Sequence, residues 1–247
     1  MPRTSRAEHY RREVSRVEGF SDAVFAFAIT LLVVSLEVPK TFEELIAAIR
    51  GFPAFAVCFA LLFQVWWRHY RFFRTYDLED ARVIALTGLL LFVVLFYVYP
   101  LKFLWSIVFS QVGGRHVTEE VLTPRQVPIL FEIYGAGVAA TFGILAAMYG
   151  YAYARRAELG LTPLESVDAR MDVYSNVALA GIGLLSAALA AFLWLVAPGL
   201  VGIAGYVYFL IGFAEWGLGE YKGRLRKRLS TESLAGAGSN TTDTSPA

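Results

Sequence analysis

Long apolar runs alternate along the chain with short connections rich in arginine and lysine. The clearest run lies between Asp172 and Glu215, where 42 consecutive residues include no Asp, Glu, Lys or Arg. A membrane span takes roughly 17–25 predominantly apolar residues. This stretch is therefore two spans, with Pro198-Gly199 as the natural break. The pattern predicts six spans, at about residues 20–38, 52–73, 82–110, 128–154, 173–197 and 199–221. The uncharged part of the first covers only residues 23–36, a length that a re-entrant segment or a buried core helix also has. Taken from 20 to 38, it makes a helix of roughly 28 Å, enough to cross where protein shelters its ends. The expected fold class is all-α, a polytopic membrane protein built as one unit over residues 1–228. The remainder, 229–247, is small and polar, cannot bury a core and is expected to be disordered.

Composition agrees with this: hydrophobic residues make up 57% of the chain, against about 45–50% in ordinary soluble domains. The placement of positive charge adds an orientation. With six spans, 17 of the 22 Lys and Arg fall on the side that holds the N-terminus, so both termini are expected in the cytoplasm. The Arg-rich start lacks a small-residue cleavage site, so the first span is expected to remain in the mature protein. The basic run Lys222–Arg228 reads as a topology signal placed at anionic headgroups. The net charge of +1 gives no reason to expect a nucleic-acid partner. The single cysteine, Cys58, excludes an intrachain disulfide and reads as a packed small hydrophobe.

Enzyme chemistry finds little footing. His9, His69 and His116 are far apart, with no metal-ligand spacing, no nucleophile elbow and no glycine-rich phosphate loop. Neither a catalytic residue nor a cofactor or metal is expected. The Tyr-Gly-Tyr within "MYGYAYARR" lacks the rest of a potassium-filter sequence and suits an interfacial aromatic belt.

One acid stands out. Asp22 lies at the entrance of the first apolar run, where facing lipid would be costly. Ser21 or Asp22 can cap the helix, since a carboxylate favours the positive end of a helix dipole. Asp22 can also join a buried polar knot. Arg16 precedes it, and the second span ends at the same face with "WWRHYRFFR", which offers Trp66, Arg68, His69 and Arg71. Trp66 and His69, three residues apart, share a helix face. The two readings are compatible.

The stretch "RVEGFSDAVFAFAITLL", from Arg16 to Leu32, resembles the signature first helix of the transmembrane-protein-175 family of potassium channels, through Arg16, Phe20, Ser21, Asp22 and the Ala-Ile-Thr that follows. The second span, with Trp66 and His69 ahead of Arg71-Phe72-Phe73, is similar to that family's second helix. The match covers roughly the first 110 residues. Three positions depart: Phe27 stands where members commonly carry Ile or Leu, Tyr70 where a second His is usual, and Arg68 where Asn is usual.

The resemblance implies a potassium-preferring cation channel without a P-loop filter. It is expected to be a homotetramer in a prokaryotic plasma membrane, its pore lined by the first helix of each chain. On an α-helix Phe27, Leu31 and Val34 fall within about 60° of one another, with Thr30 at the edge of the stripe. They are the expected constriction, and Thr30 the expected selectivity ring. Phe20, Ser21 and Asp22 with Arg16, Trp66 and His69 form the expected knot. The partners are potassium ions, the bilayer and further copies of the chain. A secondary transporter is the alternative, favoured by the glycine-rich fourth to sixth spans and opposed by the lack of an inverted repeat and of paired acids. A scaffold or sensor without flux is a third.

Overall fold

The computed structural model describes residues 14–34, 39–112 and 122–239, except for the side chains of Val34, Ala47, 110–112 and 228–239. Among them every regular element is helical. The chain divides into two compact units, Met1–Ser106 and Ile107–Ala247.

In the first unit α1 is Arg16–Val34, α2 Phe42–Arg50, α3 Phe52–Tyr76 and α4 starts at Ala81, running to Val112. A capping box starts α1: the Ser15 amide donates to Glu18 Oε2 at 3.1 Å, and the Glu18 amide to Ser15 Oγ at 3.2 Å. The helix is therefore under way before Ser21 and Asp22, and neither caps it. α2, which the hydropathy pattern does not announce, has a similar start. The Glu44 amide donates to Thr41 Oγ1 at 3.2 Å, while Glu44 Oε2 accepts from the Lys40 amide at 2.6 Å. The core of the unit is a seam between α1 and α3. Glu18, Ser21, Phe25, Ala28 and Leu32 recur three and four apart on α1 and are buried. They pack towards Cys58, Leu62, Val65, His69 and Phe72, all buried on α3.

The second unit comprises α5 (Gln126–Ala154), α6 (Pro163–Val196), a 3-10 helix (Pro198–Phe209) and α7 (Leu210–Ser239). Thr162 caps α6 in a box with Glu165. The apolar run begins at Val173, so α6 starts ten residues earlier than expected and carries Asp168 and Asp172 on its polar first turns. The break at Pro198 falls where predicted. α7 continues past Arg228, across the boundary set for the polar tail. α5 and α6 approach closely, where a Cβ on Gly135 would meet the Gly183 carbonyl, and Ala187 Cβ at 2.7 Å.

Four helices among the described residues are long and apolar enough to cross a membrane: Ala81–Phe109, Gln126–Ala154, Pro163–Val196 and Pro198–Lys227. A fifth is added if α2 and α3, bent by 42°, are one broken span. α1 is not among them, because Arg16, Glu18 and Asp22 occupy its first two turns.

Candidate functional site: the first helix and its polar anchor

Among the described residues the face of α1 opposite the α3 seam is largely exposed. Phe20 is 63% exposed and Phe27 56%, and Arg16, Gly19, Ala23, Ala26 and Thr30 are exposed beside them. Leu31 is half-buried at the border of this face, and the side chain of Val34 lies outside the described residues. Thr30 Oγ1 donates to the Ala26 carbonyl at 2.9 Å. Its hydrogen is thereby committed to the helix, and its lone pairs remain to accept. Ala23, one turn before Phe27, belongs to the same row. Periodicity shows this, but its small side chain gave no chemical cue.

The knot expected here is not a buried one, since Arg16, Phe20 and Asp22 are all exposed; one of its expected bonds is present. Trp66 Nε1 donates to Asp22 Oδ1 at 2.7 Å, tying α1 to α3. The indole is held between rings: Phe63 lies at 5.2 Å and Tyr70 stacks at 5.4 Å. Tyr70, one of the departures from the family pattern, thus steadies the donor. His69 goes elsewhere. It is 1% exposed, and its Nε2 lies 3.4 Å from Thr87 Oγ1 on α4. Phe25 and Phe73 flank its ring at 5.8 and 4.9 Å. It joins the second long helix to the third, where the sequence reading had it serve Asp22. Ser21, fully buried, donates to the Val17 carbonyl of its own helix at 2.7 Å. Arg16 and Phe20 line a cavity of about 250 Å³ with Val17, Ile84, Thr87, Gly88 and Leu91. Thr87 was missed because a lone threonine in an apolar run has no distinguishing spacing. Among the described residues no cluster of His, Cys, Asp and Glu has the makings of a metal site.

At the other end of the chain the basic run is engaged with acids. Lys222 Nζ lies 3.4 Å from Asp168 and 3.5 Å from Asp172, and Arg226 donates to Asp168 Oδ2 at 2.8 Å. These two cations fasten α7 to α6, a role beyond the headgroup contact expected for them.

The residues of α1 and its anchor have close counterparts. Residues 16–97 match the family described as the endosomal/lysosomal potassium channel TMEM175. The chain is 40% identical over 182 residues to a potassium channel of Marivirga tractuosa, an alignment covering 71% of this chain and 74% of that one. A potassium channel of Chamaesiphon minutus is 35% identical over 96 residues, 36% of this chain and 47% of the other. Among solved structures, a Thr→Ala variant of the potassium channel MtTMEM175, crystallised with a nanobody–MBP fusion, superposes with a TM-score of 0.75. It is 34% identical, over 86% of this chain and 95% of that one. A lysosomal potassium-selective channel TMEM175 homolog from Chamaesiphon minutus shares the fold, with a TM-score of 0.54 at 24% identity, over 86% of this chain and 99% of the other. The family match begins at Arg16, at the head of the α1 face, and the Marivirga alignment reaches well beyond it: the chain belongs to the TMEM175 family of potassium channels.

Proposed function

We propose that the chain is a potassium-preferring cation channel, a homotetramer whose pore is lined by α1 of each subunit. One observation carries the reading. In a member of this family, α1 keeps one face in the α3 seam and, among the described residues, leaves Phe27 and Thr30 on the opposite face exposed. Four such faces around an axis give an apolar ring at Phe27 and a ring of hydroxyls at Thr30. Leu31, and Val34 one turn further on, continue the apolar lining. Apolar constrictions gate by dewetting, and oxygen ligands replace part of an ion's hydration shell. Thr30 suits the second task, since its hydrogen is held by Ala26 and only lone pairs face outward. The Trp66–Asp22 bond fixes the rotation of α1 and so the aim of both rings. Passive flux asks no catalysis of the chain.

The wider architecture belongs to the same proposal. α1 crosses as a sixth span, its charged first turns sheltered by protein. Both termini are cytoplasmic, in line with the 17 of 22 Lys and Arg on that side. The channel unit is residues 1–228, residues 229–247 form a polar tail outside the pore, and the host membrane is a prokaryotic plasma membrane.

Purified protein in liposomes tests the function. An inward potassium gradient should drive an electrical current with a reversal potential displaced towards the potassium equilibrium. Electroneutral uptake coupled to a second solute would instead favour a secondary transporter. Thr30→Val keeps the shape of the side chain and removes its oxygen. It should leave conduction intact and move the reversal potential under mixed sodium and potassium towards zero. An unchanged reversal potential would place selectivity elsewhere.

A further inference from the structure

The last long helical segment is wound in two ways. Its first 12 residues, Pro198–Phe209, form a 3-10 helix, and α7 continues as an α-helix. Runs of 3-10 beyond three or four residues are uncommon, because the hydrogen bonds are poorer and side chains three apart eclipse. This sequence accommodates the tighter winding. Leu200, Ile203, Tyr206 and Phe209 form an exposed row at every third position. Val201 and Ala204 form a second row, 3% and 0% exposed. Gly199, Gly202 and Gly205 form the third, where there are no side chains to eclipse. The same residues also fit an α-helix: at 100° per residue Val201, Ala204, Gly205 and Tyr208 fall within about 100° of one another. Val201 and Ala204 can therefore face α6 in either winding.

Two sets of contacts hold the form observed. Ser186 Oγ on α6 donates to the Ala204 carbonyl at 2.9 Å inside the unit. Beyond the 3-10 run, a polar seam fastens α7 to α6. Ser175 Oγ donates to Glu215 Oε1 at 2.5 Å, and Lys222 and Arg226 engage Asp168 and Asp172. An α-helix rises about 1.5 Å and turns about 100° per residue, a 3-10 helix about 2.0 Å and 120°. Rewinding the run as α would shorten it by about 6 Å and turn α7 through roughly 240°. Glu215, Lys222 and Arg226 would all leave their partners. The winding of the run and the seam on α7 are thus geometrically coupled.

We infer that Pro198–Phe209 is a conformational switch between 3-10 and α windings, held in the 3-10 state by the polar seam between α6 and α7. The switch is a property of the second unit and does not rest on the pore assigned to α1. Whatever loosens the seam shortens and rotates the last helix, a screw motion of one element against its neighbour.

Spin-label distances in the full chain, reconstituted in liposomes, test it. Labels go on Leu200→Cys and Phe213→Cys, both exposed, in a Cys58→Ala background, with labelled chain diluted into unlabelled chain. The backbone separation is about 24 Å with the run as 3-10 and about 20 Å as α. The parent should show the longer distance. Paired Asp168→Asn and Asp172→Asn should raise the shorter population severalfold. So should Gly202→Ala, which favours α and whose Cβ meets nothing within 4 Å. The inference is overturned if the parent shows chiefly the shorter distance, or if the double variant folds and keeps the parent distribution. Should the double variant fail to fold, Gly202→Ala decides, being remote from the seam: no gain in the shorter population overturns the switch.

Discussion

A single indole N–H meets a carboxylate two turns into α1 and ties that helix to α3. Trp66 donates to Asp22 from a position fixed by Phe63 and Tyr70. Asp22 is exposed, so removing the acid forfeits the net value of one hydrogen bond, about 0.5–1.5 kcal/mol, and loosens the tie between α1 and α3. Asp22→Ala should therefore reduce recovery of the assembled protein in size-exclusion chromatography more than it alters ion preference. An intact assembly of normal stability with strongly changed selectivity would put Asp22 in the conduction path. The need for a partner was legible in the sequence, because an acid entering an apolar run has to be satisfied. The identity of the partner was only half legible. Trp66 and His69 share a helix face, and what separates them is Thr87, on a helix whose packing no local pattern reveals.

Elements were legible where charge is absent over a long run, and obscure where hydrogen bonding decides. The break at Pro198 and the extents of α4 and α5 followed from apolar length alone. α2 was missed because nine residues are too few to register as a span, although Thr41 and Glu44 have the spacing of a capping box. The same spacing at Ser15 and Glu18 starts α1 at Arg16, four residues before the predicted span. A 3-10 winding was beyond reach, since the repeat of three is visible only once the exposed row is known. At this scale the α5–α6 crossing makes a sharp prediction. A methyl group at Gly135 has no room against Gly183 and Ala187. Gly135→Ala should destabilise the folded protein by about 1–3 kcal/mol, read as a lowered melting temperature. Gly143→Ala, where a Cβ meets nothing within 4 Å, should be neutral or mildly stabilising in the same assay.

For the whole molecule, the proposed pore exists only between copies, and one chain supplies a quarter of each ring. Light scattering of the purified protein should give about 110 kDa of polypeptide, four times the 27.4 kDa chain. Phe27 is larger than the Ile or Leu common at its position in the family it resembles, and in the proposed tetramer four of its rings on one axis would close or narrowly restrict the path. Phe27→Ala should raise cation flux in liposomes several-fold, and Leu31→Ala, already half-turned into the subunit, should do so less. The reverse order would move the constriction one turn along the helix. Beyond that barrier, the Thr30–Ala26 bond has a consequence for a different traveller. A proton hopping along a file of water needs, at every station, a group that both takes and gives. A hydroxyl that has already given its hydrogen to its own backbone can only take. Four of them facing one another would leave the relay to the water alone, so the ring proposed to admit a partly dehydrated cation would add no station of its own to a proton wire.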